Sequence, residues 1–543
     1  MLLYRNLSVS LGAEEGALSH LVERRLRLTP GAIRFWKIVK KSLDARKGRA
    51  PRYVYSLAIE LPPRMEKKLL SRRNPVVEAY EDWRPHAVIS VGDARPPQRP
   101  VVIGAGPAGL FAAYRLMQAG CPPIVVERGP DVTERSKRWA AFLRGGEFDP
   151  ECNLLFGEGG AGAYSDGKLY TRVNDHRCRE VLGVLAAHGA PSEILYDAKP
   201  HIGSNLLPSI IRRMREDLVE RGVEFRFDTR MVELALEGEG ESRRVVGVEL
   251  EPGGRLETDS VFLATGHSAR DVYRTLAAQG VPIEAKPFQM GVRAEHPQAL
   301  IDKMQYGESA GHEALPAAEY QLVAKRAAGD LFSFCMCPGG EILPATEKAG
   351  FICVNGASRY KRKSPYANSG FVISVEPEHF PGYPDKLAGL ALQEDVEQKA
   401  GAIVAAAGVP FGVPALRLKD FVEGTVSTDL PESSYPFPLV PHSFDDFMPE
   451  PVLTALREGF PILDRRLPGF VTNDAVVVAP ESRSSSPVRV MRDPKTLEST
   501  GVAGFFPLGE GAGFAGGIVS AAIDGLRAAE VYAERRAQEA RRA

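Results

Sequence analysis

The sequence has few cysteines, no long hydrophobic run and no excess of either charge, and each absence excludes a class of protein. Six cysteines in 543 residues, irregularly spaced, are unlike the disulfide framework of a small secreted domain. The most apolar stretch, residues 400–416, contains two prolines and three glycines and is shorter than the roughly 20 apolar residues that span a bilayer. The N-terminus lacks the pattern of a signal peptide. We therefore expect a cytoplasmic protein without a membrane partner.

The net charge is close to zero only because two parts of the chain cancel. Lys and Arg number 68 against 69 Asp and Glu, and a net charge of -1 excludes a polycation built for nucleic acid. Residues 1–100 nevertheless hold 20 Lys and Arg but only 10 Asp and Glu, so they carry +10 and the remainder -11. The ordinary composition, 44% apolar and 25% charged, excludes a disordered chain, and the length predicts roughly three to four domain-sized units.

Residues 1–95 have the pattern of a separate α+β module, followed by a proline-rich linker over residues 92–100. We predict strands over residues 2–11, 32–41 and 52–61 and helices over residues 14–26 and from 66 onward. Basic and aromatic residues alternate in this module, a pattern that could bind RNA. The acidic remainder favours docking onto the same chain instead, so nucleic acid is the less favoured partner. The residues concerned are Arg24, Arg25, Arg27, Arg34, Lys37, Lys40, Lys41, Arg46, Lys47, Arg49 and Arg52, with Phe35, Trp36, Tyr53 and Tyr55.

A glycine motif directly after this module predicts a bound dinucleotide. Gly104, Gly106 and Gly109 fit Gly-x-Gly-x-x-Gly, in which the glycines allow a tight turn, close approach to a pyrophosphate and close strand–helix packing. The motif follows an apolar strand and opens a helical pattern, whose N-terminus favours phosphate. Glu127 ends the next strand at the spacing expected for a residue that binds a ribose hydroxyl.

Two further stretches favour FAD over NAD as that dinucleotide. Residues 261–266 are similar to the strand ending in Ala-Thr-Gly that passes beneath the cofactor of flavoproteins with two dinucleotide-binding domains. Residues 506–518 resemble their second flavin motif, with Glu510 in place of the commoner aspartate. The helix after Gly517 and Ile518 could stabilise negative charge on the flavin.

These motifs together resemble one family, the large FAD-dependent dehydrogenases of bacteria, most of which have no assigned substrate. The segments that carry the resemblance are residues 99–109, 156–168, 334–340, 484–489 and 508–524. The resemblance implies an α/β fold of the glutathione-reductase-like class. Its ββα Rossmann-type FAD domain would be interrupted by a β-rich substrate domain and preceded by the α+β module. We expect the FAD domain at residues 96–274 and 496–543, and the substrate domain at residues 275–495.

We predict that FAD is held mainly by glycine-rich turns and by the acidic residue that follows each nucleotide-binding strand. Only one glycine fingerprint occurs, so NAD(P)H would bind transiently, if at all, as a reductant. The predicted cofactor-binding residues are Gly104, Gly106, Pro107, Ala108, Gly109, Glu127, Arg128, Gly159, Gly160, Lys168, Val232, Thr265, Gly266, Gly509, Glu510, Gly516, Gly517 and Ile518.

Three residues are candidates for catalysis. Lys168 ends a glycine-rich loop, residues 157–168, that would contact the flavin; the alternative is a solvated surface turn. Cys337 could be a nucleophile in the substrate pocket, although buried, inert cysteines are commoner. Cys335 and Cys337 are too few for a zinc site and, one residue apart, poorly placed for a disulfide, and no Cys-x-x-Cys occurs. His267 could face either the substrate or the cofactor.

Arg293 and Arg483, with Arg489, could bind an anionic substrate, since a guanidinium group matches a carboxylate. The alternative is a set of ion pairs between the two domains. The sequence as a whole predicts an FAD-dependent oxidoreductase that transfers a hydride between a small organic molecule and the flavin. A flavin monooxygenase using NAD(P)H and O2, and a flavoprotein that binds or modifies RNA, are the alternatives.

Overall fold

The computed structural model describes residues 1–46, 49–72, 74–85, 88–92, 96, 98–327 and 329–542. Lys47 of the predicted basic patch, and residues 93–95 and 97 of the predicted linker, lie outside the described residues. In the described part of the chain, no helix has the length and hydrophobicity needed to cross a bilayer.

The N-terminal module is an antiparallel four-stranded sheet with two helices packed on it. Its core is built from residues such as Leu7, Val22, Leu57 and Leu69, which the strand and helix periodicities bring to one side. The strand order is β2-β3-β1-β4. The elements are β1 (Leu2–Ser10), α1 (Leu18–Leu26), β2 (Phe35–Asp44), β3 (Arg52–Glu60), α2 (Pro63–Ser71) and β4 (Val77–Ala79).

The next segment begins with a strand, a glycine turn and a helix, as the fingerprint predicts. Its short apolar runs form fully buried strands, and a three-stranded antiparallel sheet of order β10-β9-β8 lies beside them. The elements are β5 (Val101–Ile103), α3 (Pro107–Gln118), β6 (Ile124–Val126), α4 (Val132–Phe142), α5 (Arg177–Ala187), α6 (Leu207–Glu220), β7 (Glu224–Arg226), β8 (Arg230–Glu237), β9 (Arg244–Glu251), β10 (Gly254–Glu257), β11 (Val261–Leu263) and α7 (Arg270–Ala278).

The middle of the chain builds a second, larger sheet with its own hydrophobic core. Seven strands pair in the order β14-β15-β18-β13-β21-β19-β20, while β16 pairs with β17 and β12 with β22. The elements are β12 (Ile283–Ala285), β13 (Phe288–Pro297), α8 (Gln298–Tyr306), β14 (Val323–Ala324), β15 (Leu331–Cys337), β16 (Gly340–Pro344), β17 (Val354–Ser358), β18 (Tyr366–Val375), α9 (Ala388–Ala406), β19 (Val413–Arg417), α10 (Leu418–Glu423), β20 (Leu439–Pro441), α11 (Glu450–Arg466), β21 (Val476–Glu481) and β22 (Val488–Val490).

The C-terminus returns to the first sheet and completes it. It adds β23 (Phe505–Pro507) and α12 (Ile518–Arg542), which gives a parallel sheet of order β23-β11-β5-β6-β7. Helices α12 and α3 pack closely, since a Cβ on Gly525 would lie 2.1 Å from the Ala108 carbonyl oxygen. The predicted fold class is therefore confirmed: a Rossmann-type α/β domain with a β-rich insertion and an N-terminal α+β module.

The N-terminal sheet contacts the rest of the chain through the edge strand β2. The Lys41 amide donates to the Tyr196 carbonyl, and the Ala198 amide donates to the Lys41 carbonyl, each at 2.8 Å. Nearby, the Tyr53 hydroxyl donates to the carbonyl of Ala314 at 2.8 Å. Tyr53, an aromatic residue of the predicted RNA patch, is thus in contact with other residues of the chain, since Lys41 also lies over its ring.

Candidate active site

A cavity of about 520 Å³ lies at the carboxyl ends of four strands of the parallel sheet, β23, β11, β5 and β6. This volume is within the range of small-molecule sites, and the strand ends are where open α/β sheets bind ligands. The loops that follow these strands supply one wall, with residues such as Gly106, Glu127, Gly266 and Glu510. The facing wall comes from the second sheet, chiefly from β15.

The turn between β5 and α3 requires its glycines. Gly104 has φ +103°, and a Cβ there would lie 2.4 Å from the carbonyl oxygen of Ala264. A Cβ on Gly109 would lie 1.9 Å from the Gly104 oxygen. Gly106 is different, because its Cβ would meet only the Gly160 Cα, at 3.9 Å. Open space thus adjoins the N-terminus of α3, whose free N–H groups favour an anion.

Glu127 follows β6 and lines the cavity. Its Oε2 accepts a hydrogen bond from the Ala105 amide at 2.8 Å, and its Oε1 accepts from the amides of Gly129 and Gly157 at 3.1 and 3.0 Å. A carboxylate can accept about four hydrogen bonds, so one position is left for a hydroxyl group. Beside it, the guanidinium of Arg128 is already held by carboxylates of Glu151 and Asp271.

Glu510 follows β23, lines the same cavity and has one unpaired carboxylate oxygen. Its Oε1 accepts from the Ser486 amide at 2.8 Å, while the buried Oε2 has no partner among the described residues. Burial raises the pKa of this carboxyl to about 7. Gly516, Gly517 and Ile518 also line the cavity, at the start of α12. The glycine cradle, two helix N-termini and this free acceptor fit a dinucleotide with its hydroxyl-bearing chain.

The loop over residues 157–168 is held from within by a buried cation that the sequence analysis missed. Arg135 of α4 is fully buried and donates to the backbone carbonyls of five residues, and burial lowers the pKa of its guanidinium. Its hydrogen bonds keep the loop against the cavity, which the alternative of a solvated surface turn would not require. The acceptors are the carbonyls of Asn153, Leu154, Gly157, Glu158 and Gly160. An arginine on a mostly polar helix carries no sequence signal of this role.

Lys168 ends that loop within a cluster of charged and thiol groups. Its Nζ lies 2.9 Å from Oδ2 of Asp166 and 4.0 Å from each sulfur of Cys335 and Cys337. Arg362 donates to both oxygens of Asp166, at 3.2 and 2.8 Å. Although burial opposes ionisation, the two cations hold the pKa of Asp166 below its usual range, and the thiols and Asp166 raise that of Lys168.

Cys335, rather than the predicted Cys337, lines the cavity. Cys337 is fully buried behind it. His267 also lines the cavity, and its Nε2 lies 2.9 Å from the Arg483 carbonyl oxygen. Burial lowers the pKa of His267 to about 4, so the imidazole is neutral near pH 7.

The arginines predicted to bind an anionic substrate are engaged by carboxylates of this chain. Arg293 lies outside the cavity wall, fully buried, and donates to both oxygens of Glu481 at 2.6 and 2.7 Å. Arg483 does line the cavity, but it donates to Glu397 and Glu347. Arg489 pairs with Glu284. These ion pairs all lie within residues 275–495, whereas the alternative in the sequence analysis placed them between the two domains.

Three predicted cofactor residues lie outside the cavity wall. Gly109 and Gly159 support the turns from behind, while Val232 points away from the cavity and is 44% exposed. Its neighbour Met231 lines the cavity instead. The cause is strand alternation, since successive side chains of β8 face opposite sides. The other predicted cofactor residues line the wall; they are Gly104, Gly106, Pro107, Ala108, Glu127, Arg128, Gly160, Lys168, Thr265, Gly266, Gly509, Glu510, Gly516, Gly517 and Ile518.

Comparison with known families identifies the cofactor of this site. Residues 287–484 match the model of a FAD-dependent protein, C-terminal domain-like, and residues 102–159 match an NAD(P)-binding Rossmann-like domain. Residues 1–60 match a domain of unknown function. With the fold and the cavity described above, these matches define a FAD-dependent oxidoreductase.

One curated relative covers nearly the whole chain. An uncharacterized protein of Clostridium beijerinckii (strain ATCC 51743 / NCIMB 8052) is 38% identical over 534 residues, 98% of each chain. The chain belongs to the same family as that protein, a family of FAD-dependent proteins with this N-terminal module.

Solved structures show weaker similarity. The flavin-dependent brominase Bmp2 is 13% identical, with 81% of this chain and 79% of that chain covered and a TM-score of 0.36. A flavocytochrome c3 fumarate reductase is 14% identical (82% and 80% covered, TM-score 0.31), and the tetracycline destructase Tet(51) is 11% identical (81% and 82% covered, TM-score 0.32). These values are too low to transfer a reaction to this protein.

Proposed function

We propose that the protein transfers a hydride between a small organic substrate and FAD bound in the cavity, as a dehydrogenase or reductase. The observation that carries this proposal is the division of the cavity into two chemically different walls. One wall is the glycine cradle with its acidic residues, and the other, from the second sheet, presents Tyr320, Phe334, Cys335 and Met336. FAD, when bound, supplies a ring that accepts or donates a hydride.

The residues of the cradle suit the parts of this dinucleotide. The N-terminus of α3 beside Gly106 would hold the pyrophosphate, because its free N–H groups and dipole favour negative charge. The remaining acceptor position of Glu127 would take a ribose hydroxyl. The free Oε2 of Glu510 would accept from a hydroxyl of the ribityl chain, which would satisfy its buried, unpaired oxygen.

The opposite wall supports a substrate with an apolar or aromatic part. Lys168, at the end of the loop over residues 157–168, keeps its positive charge. His267, which follows β11, is neutral and can accept or donate a single proton depending on its tautomer. Both side chains line the cavity and can therefore contact a substrate that enters it.

Anaerobic reduction of the FAD-loaded protein tests this function. We expect NADH or NADPH, or a reduced substrate, to bleach the flavin absorbance, and C4-deuterated nucleotide to slow the bleaching if the nucleotide is the donor. No bleaching with either nucleotide would exclude a direct nicotinamide donor. In the presence of ¹⁸O₂, the label should be absent from the organic product; its incorporation would contradict a dehydrogenase and identify a monooxygenase.

A further inference from the structure

Two thiols and one ammonium group meet in the cavity wall that faces the glycine cradle. The spacing of Cys335 and Cys337 predicts that they are poorly placed for a disulfide, and both are free cysteines in the structure. Both sulfurs lie 4.0 Å from Nζ of Lys168. The Cys337 thiol also lies 3.2 Å from the Cys335 carbonyl oxygen.

Strand β15 is irregular at the two cysteines. The pairing of β15 with β18 shifts between Phe334 and Cys337, and Cys335 has φ +48°. A left-handed backbone is uncommon and strained for a residue with a side chain. Such bulges and strained residues occur often beside active sites, where they direct a side chain.

The charges around the pair favour one thiolate and one thiol. Lys168 and Arg362 contact Asp166, and Arg362 also lies 3.9 Å from Glu319, which pairs with Lys199. These three cations face two carboxylates, so one thiolate neutralises the cluster. The interaction with Cys337 and the charge of Lys168 lower the pKa of Cys335 to about 5 against the effect of burial. The interaction with Cys335 and burial raise the pKa of Cys337 well above its usual value, although Lys168 opposes this rise. The surrounding charged and titratable groups are Glu319 with Lys199, Arg293 with Glu481, and Tyr170, His201 and Tyr320.

We propose that Cys335 and Cys337 form a dithiol–disulfide couple that reduces a low-molecular-weight disulfide in this cavity. Cys335 is the attacking thiolate, because it lines the cavity, and Cys337 is the resolving thiol behind it. This inference deepens the proposed function and rests on it, since it names the substrate class of the flavin site.

The exchange with the substrate needs only water as a proton source, and the return of the pair to its reduced form needs the two electrons of reduced FAD. The Cys335 thiolate attacks one sulfur of the substrate R–S–S–R, which breaks the S–S bond, forms a mixed disulfide and releases RS⁻. Cys337 gives its proton to that thiolate and attacks the Cys335 sulfur, which forms the Cys335–Cys337 disulfide and releases the second RS⁻, protonated by water. The pair returns to the dithiol by taking up two electrons and two protons, the equivalents that reduced FAD carries.

Peptide mass spectrometry of the full-length protein tests the exchange without relying on activity. The reduced protein is incubated anaerobically with oxidised glutathione, its remaining thiols are alkylated, and it is digested with trypsin. The peptide 327–348 holds both cysteines and no other. In the wild type, we expect this peptide to escape alkylation and to be two hydrogen atoms lighter than its dithiol form. In the Cys337→Ser variant, we expect glutathione to accumulate on Cys335. The inference would be overturned if Cys337 of the Cys335→Ser variant took up glutathione as fast as Cys335 of the Cys337→Ser variant. It would also be overturned if the wild type formed no disulfide. Cys178→Ser, outside the cavity wall, is the matched control.

The role of Lys168 is that of a positioning residue, tested by the pH profile of thiol reactivity. We expect Lys168→Met to move the pH profile of iodoacetamide alkylation of Cys335 upward from its midpoint near pH 5 and to slow alkylation at pH 4.5 about tenfold for each pKa unit of the shift, since the thiolate fraction changes about tenfold per unit below the pKa. Lys168→Arg should retain most of the rate because it keeps the charge. An unchanged profile in Lys168→Met would contradict the role assigned to this lysine.

A reductive titration separates failure of this inference from failure of the proposed function. Dithionite should deliver about four electrons per FAD to the glutathione-oxidised holoprotein and about two to Cys335→Ser, because the disulfide and the flavin each take two. Two electrons in both, with normal flavin bleaching, would overturn the dithiol couple and leave the flavin function standing. A protein that binds no FAD would refute the proposed function, while the peptide experiment would still report on the thiols.

Discussion

Substitution of Glu510 by glutamine should make the FAD-free protein more stable above neutral pH. The carboxyl is buried, with one oxygen bonded to the Ser486 amide and the other unpaired. Burial raises the pKa of Glu510 from its ordinary value of 4.5 to about 7, even with Lys286 nearby. Glutamine keeps the shape and the bond to Ser486 but carries no charge at any pH.

The size of the effect follows from linkage. A carboxyl whose pKa is raised by folding binds its proton more tightly in the folded state. It therefore stabilises the fold below pH 4.5, and this contribution is lost as the pH rises from 4.5 through about 7. The pKa difference between 4.5 and about 7 corresponds to about 3 kcal/mol in the free energy of unfolding. Wild type and Glu510→Gln should thus be equally stable below pH 4.5, and the variant should be more stable by up to about 3 kcal/mol at pH 8.

This difference is measured by urea unfolding of the two apoproteins at a series of pH values, with a signal that reports on the Rossmann-type domain. The chain has more than one core, so the comparison applies to one transition rather than to the whole molecule. Glu378→Gln, at an exposed glutamate, is the matched control and should show no pH-dependent difference. A wild-type–variant difference that stays constant between pH 4 and 8 would show that the Glu510 carboxyl is not desolvated in the folded protein.

Two further substitutions test the cradle. Gly106→Asp should weaken FAD binding about a thousandfold in a fluorescence titration, because a carboxylate about 4 Å from a phosphate costs about 4 kcal/mol at an intermediate dielectric constant. Gly106→Ala is the control and should stay folded and bind FAD, because its Cβ would meet only the Cα of Gly160 at 3.9 Å. Equal FAD affinity of the two variants would place the pyrophosphate elsewhere. Arg135→Met should destabilise the protein by about 3–5 kcal/mol in urea unfolding, because buried carbonyls lose a charged donor; a loss below about 1 kcal/mol would show that water replaces the guanidinium.

The nucleotide-binding turn can be predicted from the sequence because its constraints are local. The conformation of Gly104 and the contact between Gly109 and the Gly104 oxygen arise within six residues of chain. Similarly, the position of Glu127 follows from the lengths of one helix and one strand. The pattern predicts this turn where, as here, it follows a buried strand and opens a helix.

The roles of the arginines cannot be predicted in this way, because their partners are distant in sequence. Arg293 pairs with Glu481, 188 residues away, and Arg483 pairs with Glu397, 86 residues away. An arginine that binds a substrate carboxylate and one that binds a carboxylate of its own chain have the same local sequence signal. Val232 shows a smaller error of the same kind, since shifting a strand by one residue reverses which side chains face the cavity.

The cysteines show why spacing rules depend on backbone conformation. In a regular strand, residues two apart lie on the same face but too far apart for their sulfurs to meet, so Cys-x-Cys argues against a dithiol site. The geometry of β15 departs from a regular strand, because Cys335 has a left-handed backbone conformation and the pairing with β18 shifts between Phe334 and Cys337. A shared neighbour, Lys168, comes from a loop 167 residues earlier. The chemistry of the pair thus depends on a local distortion and a distant charge, neither of which a spacing pattern contains.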